Sequence, residues 1–315
     1  MTLLKNFQNH LKTFTFFISL FCSFSLEASK TIGITQIVDH PSLNAIRKGI
    51  LEGLAQEGFV EGKDLTVIFE NAQGNPTVAA QIAQKFSSLN LDVIVPISTP
   101  SAQTIVQQIK KTPIVFAAIS DPLSAKVVSS LSHPGGNVTG VTDAPPLQGQ
   151  LRYIETCIPH IKTLGVVFNP GEVNNVSFLE GLKALAKKKH IKVVTAAAHK
   201  SADVQAAAKS LIERVDAIFI GNDNTVVSGL EALIKICLEA HKPLFASDPE
   251  SVDRGAFAAY AYDQRQMGHQ VGKIVARVLK GENPGDIHVE RGKDIKLSFN
   301  SHTAEKIKVK CTFAN

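Results

Sequence analysis

Two hydrophobic rhythms alternate along this chain. Short runs of aliphatic and β-branched residues are followed by longer stretches in which apolar residues return every three to four positions. Ser42–Gly58 shows the second rhythm: Leu43, Ile46, Ile50 and Leu54 share a face, with Arg47, Lys48, Glu52 and Gln56 largely on the other. On this basis residues 31–119 predict strands at Thr31–Val38, Leu65–Glu70, Asp92–Ile97 and Pro113–Ile119, separated by helices at Ser42–Gly58, Thr77–Leu89 and Ser101–Lys110. Val93-Ile94-Val95 has no polar alternation, as expected of a parallel strand covered on both faces. The stretch Ser132-His-Pro-Gly-Gly-Asn137 is a turn, Val138–Asp143 a short strand, and Pro145-Pro146 a stop. The alternation then resumes with strands at Thr163–Phe168, Ile191–Ala196, Val215–Ile220, Pro243–Ala246 and Gly255–Tyr262. Helices are predicted at Val173–Lys189, Ala202–Glu213, Thr225–Ala240 and Gln264–Lys280. Two short β-like runs close the chain, Ile287–Glu290 and Ile295–Phe299. Strands alternating with helices imply right-handed βαβ units and parallel sheets.

The pattern is written twice. Asp92 opens D-V-I-V-P-I-S-T-P-S-A-Q-T, and Asp216 opens D-A-I-F-I-G-N-D-N-T-V-V-S. Each is followed by a helical stretch and then a matching strand, T-P-I-V-F-A-A-I-S-D-P ending at Pro122 and K-P-L-F-A-S-D-P ending at Pro249. Thr31-Ile-Gly-Ile and Thr163-Leu-Gly-Val open the two copies. A repeat of about 125 residues is far longer than a solenoid unit and has the size of a domain. The expected fold is therefore α/β, with two Rossmann-like lobes of parallel sheet joined by a hinge of crossing segments. Lobe 1 is expected to take residues 30–141 plus 263–281, and lobe 2 residues 142–262 plus 282–315. Several crossings permit closure while restricting twist.

The first 28 residues break the pattern. Lys5, His10 and Lys12 precede a Phe-rich apolar run, Phe14–Leu26, and the small residues Ala28-Ser29. That order reads as a secretory signal peptide, residues 1–28, and the run is too short for a comfortable bilayer span. An uncleaved anchor and lipid attachment at Cys22 are alternatives, although the bulky Phe21 fits a lipidation site poorly. The chain is thus expected to be exported to the periplasm. Cys157, Cys237 and Cys311 then remain, an odd number without metal-ligand spacing, so the chain does not read as a disulfide scaffold. Cys237 falls in an apolar helical stretch and is expected to be a core residue. Of the 315 residues, 44% are hydrophobic and 19% charged, a balance that supports two globular cores. The net charge of +5 is spread along the chain without a basic stripe, which argues against a nucleic-acid partner.

In open parallel sheets, ligands bind beyond the carboxyl ends of the strands. In the first copy those ends carry Gln36, Ser98, Thr99, Ser120 and Asp121. In the second they carry Asn169, Glu172, Asp223, Asn224, Thr225, Ser247 and Asp248. Helix N-termini among them attract a carboxylate, and the acids could take an ammonium group. The same residue types before a helix are ordinary N-caps, so each position has a structural reading beside the binding one. His40, beside Pro41, reads as a surface residue. No nucleophile elbow, phosphate loop, H-E-x-x-H or dinucleotide fingerprint is present, which argues against an enzyme. No metal or organic cofactor is implied.

Ordered motifs carry a family resemblance. I-G-I-T-Q-I-V-D-H-P at Ile32–Pro41, N-A-Q-G at Asn71–Gly74, S-T-P-S-A-Q at Ser98–Gln103 and H-P-G-G-N-V-T-G-V at His133–Val141 occur in sequence. F-N-P-G-E at Phe168–Glu172, D-N-T-V at Asp223–Val226 and F-A-S-D at Phe245–Asp248 follow. Across Lys30 to about Ile307 the chain resembles substrate-binding proteins of ABC importers of the tryptophan/tyrosine-binding type. The resemblance implies a type I periplasmic-binding-protein fold, a monomer that captures a small solute and delivers it to a permease and its ATPase. It places a ligand carboxylate near Ser98, Thr99 and Ser120, an ammonium facing Asp223 and Asp248, and Asn169, Glu172 and Asn224 along the second lobe. Tyr260 and Tyr262 are candidates for an aromatic wall. A ligand-sensing module for a receptor would share fold and site, and a two-lobed transferase is the enzymatic alternative.

Overall fold

In the computed structural model residues 29–311 are described, and the leader read at 1–28 lies outside them. The described strands, numbered in chain order, form two six-stranded sheets. The first contains β1 (Lys30–Gln36), β2 (Leu65–Asn71), β3 (Val93–Ile97), β4 (Ile114–Ala117), β5 (Val138–Thr142) and β11 (Glu290–Arg291). The second contains β6 (Thr163–Phe168), β7 (Lys192–Ala197), β8 (Ala217–Phe219), β9 (Leu244–Ala246), β10 (Ala258–Tyr262) and β12 (Ile295–Phe299). The orders are β11-β5-β4-β3-β1-β2 and β12-β10-β9-β8-β6-β7, the same winding twice. Every pairing is parallel except β10 with β12. The duplication extends to single atoms. The Asp92 carboxylate accepts the Thr31 N–H at 2.8 Å, and the Asp216 carboxylate accepts the Thr163 N–H at 2.8 Å. The repeated aspartate thus fastens the start of each lobe's first strand.

The helices are α1 (Pro41–Gln56), α2 (Pro76–Ser88), α3 (Thr99–Gln108), α4 (Leu147–Cys157), α5 (Val173–Lys188), α6 (Val204–Ile212) and α7 (Asn224–Ser228). They continue with α8 (Leu230–Glu239), α9 (Pro249–Asp253), α10 (Gln264–Leu279) and α11 (Ser301–Ile307). Two differences from the sequence expectation have local causes. Helix α4 starts directly after Pro146, because a proline ends a strand yet suits a helix start. The single helix expected over Thr225–Ala240 divides at Gly229, where a Cβ would lie 2.8 Å from the Ser201 carbonyl oxygen. Helix α10 packs on α1 almost backbone to backbone: a Cβ on Gly268 would lie 2.2 Å from the Ile46 carbonyl oxygen.

The chain crosses between lobes after β5, after β10 and after β11. The last point corrects the expected boundary, which gave all of 282–315 to lobe 2. Ile287 and Val289 belong to the first lobe's core and β11 pairs with β5. A two-residue strand carries too little pattern to declare which sheet edge it joins. Arg291 then binds the crossings together, donating from Nε to the Tyr262 hydroxyl at 2.7 Å and from Nη2 to the Ala144 carbonyl at 2.9 Å.

In lobe 2, Phe245, Phe257 and Phe299 stack edge to face at 5.3 Å steps beneath the sheet. Cys157 at the end of α4 forms a disulfide with Cys311, 154 residues later, while Cys237 is free and buried. No helix among the described residues is long and apolar enough to cross a membrane.

Candidate functional site

The loops that follow β1, β3, β4 and β5 meet those that follow β8, β9 and β10. Between them lies a narrow cavity. The lobes are closed on each other. Ser42 Oγ of α1 donates to Asp248 Oδ1 at 2.7 Å, and Asn224 Nδ2 donates to Ser98 Oγ at 3.0 Å. Asn222 Nδ2 donates to Asp143 Oδ2, in the first crossing, at 2.6 Å.

Of the residues picked from sequence, Ser98, Thr99, Ser120, Asp223, Asn224 and Asp248 line the cavity. Six do not. Gln36 is buried at the end of β1 and donates to Asn44 Oδ1 and to the Val38 carbonyl. Asp121 caps a turn by accepting from the Ser124 N–H. Ser247 donates to the Ile220 carbonyl. Asn169, Glu172 and Thr225 form a scaffold behind the cavity: Glu172 accepts from Thr225 Oγ1 at 2.9 Å and from Asn224 Nδ2 at 2.6 Å, and Asn169 Nδ2 donates to Thr225 Oγ1. Tyr260 and Tyr262 are not lining residues. Tyr260 packs against Tyr153, and Tyr262 holds Arg291.

Among the lining residues that the sequence reading did not select are His40, Asn174 and Asp143. His40 is 8% exposed, not a surface residue, because it caps α1 and packs beneath lobe 2. Burial lowers its pKa against the opposing pull of Asp248. Asn174 sits in the first turn of α5, where a cap-like residue attracts no notice. Asp143 ends the β5 segment. The strand-end rule would have found it had it been applied to the strands that feed the hinge.

The electrostatics are lopsided. Among the described residues Asp143, Asp223 and Asp248 line the cavity, and no lysine or arginine does. Asp223 spends both oxygens within its own lobe, Oδ1 on the Val226 N–H at 2.9 Å and Oδ2 on the Asn169 N–H at 2.6 Å. Burial and the neighbouring Glu172 push its pKa up to about 8. Asp248 caps α9 through the Ser251 N–H and Oγ in addition to holding Ser42. Burial also raises the Asp143 pKa, against hydrogen bonds from Ser120 and Asn222.

The backbone at the cavity is strained. Ser98 has φ 77° and ψ 154°, a region that side chains other than glycine's rarely occupy. Ala118, also on the cavity wall, has φ 53°. The Ser98 geometry starts α3 without a side-chain cap, leaving its first amide groups for another acceptor.

Comparison with known proteins agrees with this layout. The model for the ABC transporter substrate binding protein family matches residues 31–312. A tyrosine-binding protein of Clostridioides difficile (strain R20291) is 35% identical over 278 residues, 88% of this chain and 81% of that one. An ABC domain from Streptococcus pneumonia, solved in complex with L-Trp, superposes with a TM-score of 0.87 at 33% identity, covering 90% of this chain and 96% of that one. A ligand-free, open substrate-binding protein from Clostridium difficile gives 0.70 at 34% identity, covering 89% and 95%. At nearly equal identity the molecule fits the ligand-bound structure better than the open one, consistent with hydrogen bonds that already span its cleft. The chain belongs to the ABC transporter substrate-binding protein family.

Proposed function

We propose that this protein is the extracytoplasmic solute-binding component of an ABC importer and that it closes on an amino acid with an aromatic side chain. The carrying observation is the enclosed inter-lobe cavity, whose walls combine strand-end polar groups with the apolar Leu43, Ile46, Ala118 and Val227. The relatives' tyrosine and L-Trp supply the ligand class. In this reading the ligand carboxylate docks at the uncapped start of α3, beside Ser98 and Thr99, with Ser120 alongside. The strain at Ser98 supports it, since a cost of about 1–3 kcal/mol in backbone conformation is tolerated where the geometry serves a purpose. The aromatic ring would lie against the apolar wall. A permease and its ATPase are the implied partners, and catalysis plays no part.

The test is a thermal-shift and calorimetric survey of residues 29–315 against the twenty amino acids, common sugars and nucleotides. A ligand at a hundred times its dissociation constant should add about 2.7 kcal/mol of stability, a readily visible shift. Tyrosine, tryptophan or phenylalanine should stand out. A response confined to sugars or nucleotides would overturn the ligand class.

A further inference from the structure

We infer that Asp143, assisted by Asn174, is the group that receives the ligand's ammonium. The inference rests on the proposed amino-acid reading and moves the positive end of the ligand away from Asp223 and Asp248.

The argument is an accounting of lone pairs. A zwitterion in this cavity needs an anionic acceptor, and three carboxylates line it. Asp248 already takes three hydrogen bonds, two of them as the cap of α9 and one from Ser42. Asp223 takes two backbone N–H groups and sits against Glu172. Asp143 caps no helix. It accepts one side-chain bond on each oxygen, from Ser120 Oγ at 2.9 Å and Asn222 Nδ2 at 2.6 Å. An ionised carboxylate offers about four acceptor positions, so two remain, as on Asp223; what sets Asp143 apart is that its partners are side chains that can turn, whereas those of Asp223 are fixed backbone amides. It is also 4% exposed with no cationic side chain bonded to it, an environment in which an unpaired carboxylate is costly.

The independent observation is Asn174. Its side chain lines the same cavity and is 3% exposed. Nδ2 donates to the Asn222 carbonyl at 2.8 Å, which turns Oδ1 into an acceptor, and Oδ1 has no partner. Buried acceptors without partners are rare, and one on a residue that lines a cavity marks a place for a donor. An ammonium carries three donors and no acceptor, which suits a carboxylate and an amide oxygen together. Asp143 stands in the crossing between lobes and Asn174 on lobe 2, with Ser98 and Thr99 on lobe 1. A ligand spanning them would link its own capture to closure.

The experiment is calorimetry with L-tyrosine and L-tryptophan, and with the corresponding propionates that lack the amino group. It is run on wild type, Asp143→Asn, Asn174→Ala and Asp248→Asn, with melting temperatures as the folding check. Asparagine at 143 is isosteric, and Asn222 can turn its amide over to keep the bond between them. Wild type should prefer the amino acid over its des-amino analogue by about tenfold or more, the range of a charge-assisted bond. Asp143→Asn should lose that preference while holding the analogue within about threefold. Asn174→Ala should shrink the preference in the same direction and serves if Asp143→Asn does not fold. Asp248→Asn should weaken both ligands alike, because it loosens closure. Retained preference in Asp143→Asn and Asn174→Ala, or equal loss of both ligands in each, would overturn the assignment. Failure of wild type to bind either amino acid would instead overturn the reading on which it rests.

Discussion

Asp223 turns burial into a pH dependence that can be worked through. Its pKa in the folded protein is about 8, against 3.8 for the ordinary side chain, through burial first and Glu172 second. The fold therefore holds a proton that the unfolded chain has released. Stability from this group is complete below pH 3.8 and is lost as pH rises through about 8. Between those limits the unfolding free energy falls by about 1.4 kcal/mol per pH unit, a tenfold change in the folding equilibrium. Glu250, raised to about 7 by burial and by Asp248, adds to the slope below that pH. His40, lowered by burial, acts oppositely below its ordinary 6.5. Between pH 7 and 8, where Asp223 itself begins to release its proton, it accounts for a fall of about 1 kcal/mol, and Asp143, raised by burial, adds in the same direction. Urea unfolding followed by circular dichroism, without ligand, should show this slope in wild type. Asp223→Asn should reduce it. Asparagine can still cap α7 through the Val226 N–H, and losing the Asn169 N–H bond costs a constant offset of about 1 kcal/mol. A wild-type curve flat between pH 7 and 8, or an equal slope in the variant, would refute the reasoning.

Two further outcomes are expected. Cys157→Ala, or reduction, releases a loop that spans 154 residues and should lower stability by about 5 kcal/mol on chain-entropy grounds, read as a lower urea midpoint under dithiothreitol. Gly268→Ala must push α10 off α1, since its Cβ would meet the Ile46 carbonyl oxygen at 2.2 Å, and should cost about 1–3 kcal/mol in the same assay, whereas Ala at the exposed Lys273 position should be neutral.

The duplicated winding was legible because periodicity reports what one strand or helix buries, and both lobes bury the same things. Asp92 and Asp216 illustrate it: identical in sequence position, identical in the bond they make. The boundary error at residues 282–291 and the missed Cys157–Cys311 pair arise where the deciding contact is distant in sequence and local pattern is thin. The site was half legible for a related reason. Aspartate before a helix looks the same whether it caps or binds, and only the bond partners separate the roles. Asp248 and Asp223 do cap their helices, while Asp143 lacked any helix to draw attention to it.

Closure itself limits what the cavity can be for. The Ser98–Asn224 bond contributes about 1 kcal/mol net and the Ser42–Asp248 and Asn222–Asp143 bonds, to carboxylates, about 1.5–3 kcal/mol each, so together they hold the closed form by several kcal/mol before the cost of ordering the hinge. Arg291 ties the crossings to one another through Tyr262 and Ala144. An open–closed equilibrium responds to a ligand in proportion to the ligand's differential affinity for the two forms. A solute that bonds the α3 start on one lobe and Asn174 on the other makes its contacts only when the lobes meet. On the proposed reading the latch and the split site belong together, since a filled cavity adds contacts that only the closed form can make.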